Sequence, residues 1–148
     1  MTAGRRALLD VNVLIALLDQ DHIHHYRARD WVVKHGEHGW ASCPITQNGC
    51  VRVISNPSYP NATSTADAIR RLQQAVSTVK HEFWPDSVSL FHPKIVNWKH
   101  VLTSRTITDA YLLALAVKNN GRFVTFDQAV HTNLAPGATS EHLVTISI

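Results

Sequence analysis

Three aspartates, Asp10, Asp109 and Asp127, carry the chemistry that can be read from this chain. Asp10 closes the apolar run Arg6-Ala7-Leu8-Leu9, and Asp127 closes Arg122-Phe123-Val124-Thr125-Phe126, so each should stand at the carboxyl end of a buried strand. In open α/β sheets, ligands bind in the crevice outside those ends. Asp109 falls in the first turn of a helix expected to open at Thr106 and to continue through Tyr111 to Val117. A short connection returns that helix along the sheet, which brings its amino end to the same edge. Carboxylates gathered there repel one another, and either protonation or a divalent cation must compensate. Oxygen ligands without an accompanying Cys or His set favour Mg²⁺ or Mn²⁺ over zinc. An ion so held can activate a water and neutralise a phosphodiester under attack. Hydrolysis of a nucleic-acid strand suits such a cleft.

Each acid also has a plainer role open to it. Asp10 can cap the helix after it, and Asp109 can complete a Thr106-x-x-Asp109 capping box worth about 1 kcal/mol. Asp127, followed by Gln128, can be a turn residue. Asn12 can orient a ligand beside Asp10 or start its helix, and Thr125 can hydrogen-bond within the pocket or simply pack. Arg52 can meet RNA phosphate or, more in keeping with its setting, join an ion pair. The cluster His22, His24, His25 invites a zinc reading, but Tyr26 ends it, and packing at a helix entry is the better account. Cys43 and Cys50 match no zinc spacing and read as buried thiols.

The elements that must position the acids alternate in type. After the first strand come helices over Val11–Leu18 and His24–His35, the latter with Ala28, Trp31, Val32 and His35 on one inward stripe. A strand is expected at Trp40–Cys43 and a helix opened by Pro44 over Ile45–Ser55, then the loop Asn56–Asn61. Ser64 with Asp67 marks a fourth helix, striped by Ile69, Leu72, Val76 and Val79. Phe83-Trp84 and Val88-Ser89-Leu90 are short and ambiguous, and His92–Arg105 carries no readable period. Asn119-Asn120-Gly121 ends the helix of Asp109, and Leu143–Ile148 is a final strand. Apolar strands alternating with helices imply an α/β fold, three layers around a mainly parallel sheet, in one domain spanning 1–148.

Leu8-Leu9-Asp10-Val11-Asn12-Val13-Leu14-Ile15 resembles the opening motif of PIN domains. Thr108 to Ala116 is similar to their central acid and its helix, and Gly121 to Asp127 to the closing strand and acid. Asp21-His22-Ile23-His24-His25 with Ala28 and Trp31, and Arg52 followed by Ser55-Asn56-Pro57, resemble the VapC branch. The resemblance implies a PIN fold and an Mg²⁺- or Mn²⁺-dependent endoribonuclease, the toxin of a type II toxin–antitoxin pair. It implies Asp10 and Asp109 as the main metal ligands, with Asp127 completing the pocket. It further implies a VapB-type antitoxin that blocks the cleft, a homodimer, and an RNA substrate, transfer RNA before ribosomal or messenger RNA. Many PIN domains carry a glutamate in the third helix where Gln47 stands here. One charge is thereby missing, which favours one protein-held ion over two and keeps open an alternative, a catalytically weak domain that binds RNA or a protein without cutting.

The remaining bulk properties narrow the field. With 148 residues, 45% hydrophobic and 17% charged, the chain suits one globular domain. The net charge of +3 agrees with a polyanionic partner without requiring one. No apolar run approaches the roughly 18 residues of a membrane span, and the opening Met-Thr-Ala-Gly-Arg-Arg-Ala-Leu-Leu-Asp meets an acid early, so no membrane and a cytoplasmic location are expected. No glycine-rich dinucleotide motif or P-loop occurs. A receiver-like phosphoacceptor would want adjacent acids after the first strand, and a dehalogenase-like phosphatase an aspartate where Asn12 stands.

Overall fold

Ala7-Leu8-Leu9 and Phe123-Val124 are apolar and buried on both faces of the sheet, and they carry its core. The computed structural model describes residues 4–100 and 103–148. Its sheet is formed by β1 (Ala7–Leu9), β2 (Trp40–Ser42), β3 (His81–Phe83), β4 (Arg122–Thr125) and β5 (Leu143–Thr145), all parallel in the order β3-β2-β1-β4-β5. Leu8 lies opposite Ala41 on one side and Phe123 on the other. These three face α5 (Ser104–Lys118), which brings Leu112, Leu113 and Leu115 to a fully buried core. Ala7, Leu9 and Val124 face the other way, against α1 (Val11–Leu18), α2 (His25–His35), α3 (Pro44–Ile54) and α4 (Thr65–Val76). Each buried Leu or Phe contributes roughly 1.5–3 kcal/mol. The result is the expected three-layer α/β fold, wholly parallel within its sheet.

Parallel strands send every return helix back along the sheet, so α1, α3 and α5 all begin at the strands' carboxyl edge. Pro44 takes the first position of α3, where a missing N–H costs nothing. Asn120, with φ 53°, makes the left-handed exit from α5. Gly121 follows where a Cβ would sit 2.4 Å from the Trp84 ring and 2.7 Å from the Arg6 carbonyl oxygen.

Several expectations are corrected. The helix of Asp109 opens a turn earlier than Thr106: Thr103 is its cap residue, and Thr106 Oγ1 accepts from the Thr103 N–H at 3.4 Å and donates to its carbonyl at 2.8 Å. Asp109 is therefore the sixth residue of α5, not a first-turn acid. α4 stops at Val76, leaving Val79 fully exposed and Ile69 45% exposed. His35 is exposed and does not extend the stripe of α2. The last strand is limited to Leu143–Thr145. The stretch before α5 forms no regular element but covers that helix with Val88, Leu90, Ile95 and buried Val96. Of the unreadable stretch His92–Arg105, residues 101–102 lie outside the described residues, as do residues 1–3 of the opening.

Candidate active site

Asp10 holds two structural duties at once. Its N–H donates to the Val124 carbonyl at 2.9 Å, carrying the β1–β4 ladder one residue further. Its extended backbone then caps α1, with Oδ1 accepting the Val11 N–H at 2.7 Å. Oδ2 accepts from the Thr125 hydroxyl at 2.7 Å. The carboxylate is 8% exposed, and burial pushes its pKa up; the bonds from Thr125 and Val11 pull it down, and the charge of Asp127 pushes it up again.

The Thr125 hydroxyl has one hydrogen, and Asp10 takes it. Its lone pairs receive the Asp127 N–H at 3.0 Å and the Asn12 Nδ2 at 3.3 Å. Asn12 Oδ1 in turn accepts the Phe126 N–H at 3.3 Å. Asn12 is thus no helix cap but a brace between α1 and the end of β4. Of the residues expected to support the acids, Asn12 and Thr125 lie in one network with Asp10, and Gln47 is not part of it.

Asp127 stands just beyond β4, where its Oδ1 accepts the Ala129 N–H at 2.9 Å, so it also serves the turn. Asp109 approaches from α5. Its pKa is pushed up to about 7 by burial, then by the charges of Asp10 and Asp127, with Arg105 acting in the opposite direction. Asp109 makes no hydrogen bond through its carboxylate among the described residues. The three acids therefore share one electrostatic neighbourhood, although among the described residues no group of three His, Cys, Asp or Glu side chains stands ready to hold a metal. Such an arrangement can accept a divalent cation that retains water ligands, and hard carboxylate oxygens are the donors Mg²⁺ and Mn²⁺ take.

Among the described residues, the other candidates make no hydrogen bond to the three acids. Gln47 turns its Nε2 to the buried Ser42 hydroxyl at 2.9 Å, and that hydroxyl meets His81 Nε2 at 2.7 Å. Arg52 is exposed on the last turn of α3, about 12 Å along the helix from its start, and makes no ion pair among the described residues, against expectation. The histidines pack a helix entry: His25 Nδ1 lies 2.7 Å from the Ala16 carbonyl, and the His24 ring lies 5.2 Å from that of Phe126. Both cysteines are buried and free. A cavity of about 650 Å³ beside Asp19, Arg29 and Arg71 includes none of the three acids. Sequence reasoning missed Arg105, whose spacing of four from Asp109 was the available signal, and the Ser42–His81 pair, which left none.

A parallel sheet with aspartates from β1, β4 and the intervening α5 converging at its carboxyl edge is the plan of a PIN domain, and this chain belongs to the PIN domain family, whose profile matches residues 7–133. Within it the chain falls in the VapC branch. It is 55% identical over 141 residues to ribonuclease VapC44 of Mycobacterium tuberculosis, covering 95% of this chain and 99% of that protein. It is 43% identical over 132 residues to ribonuclease VapC39 of the same organism, covering 88% and 95%. Ribonuclease VapC38 is 45% identical over 130 residues, covering 85% and 88%.

Proposed function

We propose that this protein is an endoribonuclease toxin that hydrolyses RNA with a water activated at the Asp10–Asp109–Asp127 cleft. The observation that carries the reading is the electrostatic coupling of those three carboxylates, drawn from separate elements to one sheet edge. Likeness to proteins named ribonucleases supports the substrate class. Asp10 and Asp109 would hold Mg²⁺, or Mn²⁺ in its place, with Asp127 completing the pocket. When bound, the ion supplies an activated water and neutralises phosphate charge. Thr125 and Asn12 keep Asp10 in place, so the carboxylate does not have to be ordered when substrate arrives. Transfer RNA is the favoured target, and the partners are a VapB-type antitoxin and a second copy of the chain. The compartment is the cytoplasm, in accord with the absence, among the described residues, of any helix long and apolar enough to cross a membrane.

The test is cleavage of total RNA with and without Mg²⁺, for the wild type, Asp10→Asn and Asp109→Asn. Metal-dependent cleavage lost in both variants, with growth arrest lost in parallel, is expected. Tight RNA binding with no cleavage by the wild type would favour a domain that binds without cutting.

A further inference from the structure

Among the described residues, half of the chain's fourteen lysines and arginines are engaged through their side chains. Arg5 pairs with Glu141, Arg70 with Asp67 and Lys34 with Asp30; Arg122 donates to the His35 carbonyl, and Lys118 to that of Ser87. Arg105 belongs to the other half and is set apart by its place beside Asp109. It is exposed on the first turn of α5, and among the described residues, which include all eleven acidic side chains, it forms no ion pair. It precedes Asp109 by four positions, so the two side chains rise from the same helix face with Cβ atoms about 6 Å apart. α5 begins at the carboxyl edge of the sheet, so Arg105, four residues nearer that end of the helix than Asp109, stands at the same edge as the acids.

We infer that Arg105 is the phosphate-positioning residue of this cleft, presenting its guanidinium fork to the RNA backbone beside the attacked bond. This rests on the ribonuclease reading above. The electrostatics agree: Arg105 is the one cation whose charge reaches Asp109, opposing the push of the other two acids. With the acids ionised, three carboxylates and one guanidinium leave the cleft at minus two, which a single divalent cation neutralises. Gln47 adds no charge, being a neutral amide, and its Nε2 donates to Ser42. A planar fork can grip two phosphate oxygens and do part of the work a second ion would do. Arg105 engages the substrate and holds no metal.

The experiment compares wild type, Arg105→Gln, Arg105→Lys and Arg29→Gln, the last an exposed arginine on α2 outside the cleft. Binding of a labelled RNA oligomer is followed in EDTA over a salt series, Mn²⁺ alone is titrated calorimetrically, and cleavage of the oligomer is timed in Mg²⁺. Arg105→Gln should weaken RNA binding about tenfold and lower the salt slope by about one. It should also tighten Mn²⁺ binding, because a like charge has gone. Arg105→Lys should regain most of the binding while kcat stays reduced, since a point charge lacks the fork. Arg105→Gln behaving as Arg29→Gln does in all three measurements would overturn the inference and leave the ribonuclease reading standing. Failure of the wild type itself to bind or cut RNA would overturn both.

Discussion

Thr125 donates its only hydroxyl hydrogen to Asp10 at 2.7 Å, across 115 residues of sequence, and so ties the first strand's acid to the end of the fourth. In Thr125→Val the shape persists but a buried carboxylate oxygen loses its partner, and Asn12 and the Asp127 N–H lose an acceptor. A stability loss of about 1–3 kcal/mol is expected by chemical denaturation. Mn²⁺ affinity should fall by roughly 10–100-fold, the usual effect of removing a group that orients a ligand. Unchanged affinity would show that Asp10 needs no such support.

The metal-free protein should lose stability as pH rises. Asp109 is held near 7 in the fold against an ordinary 3.8, so the folded state binds the extra proton between those values. Its contribution is complete below about pH 4, declines through the interval and is gone above about pH 7; Asp10, also raised, acts in the same direction. The decline should be on the order of 2–4 kcal/mol in thermal or urea unfolding. Asp109→Asn should flatten it, and Mg²⁺ at pH 8 should restore the wild type. A flat profile for the metal-free wild type would count against the convergence of the acids.

Asp19 gives the opposite sign. Burial pushes its carboxyl up, but the Tyr59 hydroxyl at 2.5 Å, the Asp21 N–H, Asn61 and nearby His22 together bring it below the usual range. Its stabilisation is present above about pH 4 and disappears as the solution is acidified through the depressed pKa. Tyr59→Phe should therefore cost about 1.5–3 kcal/mol at pH 7, and the cost should shrink as the solution is acidified through the depressed pKa. A cost that does not change with acidification would mean that packing of the Tyr59 ring, not the charge of Asp19, holds the loop to α1.

Gln47→Glu should not create a further metal site. The new carboxylate would replace an amide donor at the Ser42 hydroxyl, with His81 on its far side. The expected outcome is unchanged Mn²⁺ stoichiometry together with a raised His81 pKa, followed by NMR. A second equivalent of bound Mn²⁺ would show that the side chain swings to the acids.

The sheet and two of the acids were legible because Leu8-Leu9-Asp10 and Phe123-Val124 are apolar runs with acids close behind, a pattern local in sequence. The start of α5 was not. Thr103 and Thr106 are equally good cap residues on paper, and the choice between them is made by what packs around the first turn. Val79 continues a helical period by coincidence, beyond the Ser77 cap that ends α4. The tie from Gln47 through Ser42 to His81 crosses from β2 to β3, so no window along the chain contains it. The cover over α5 has no period because it packs by individual side chains such as Val96.

The β1–β4 pairing has a consequence for the time at which the molecule becomes dangerous. Leu9 meets Val124, and a growing chain cannot form that contact until the strand 115 residues further on has been made. Contacts between such distant segments form slowly and late in folding. Until β4 has been made and has docked on β1, Asp10 lacks the Thr125 hydroxyl that holds it, so the nascent chain carries an unfinished site.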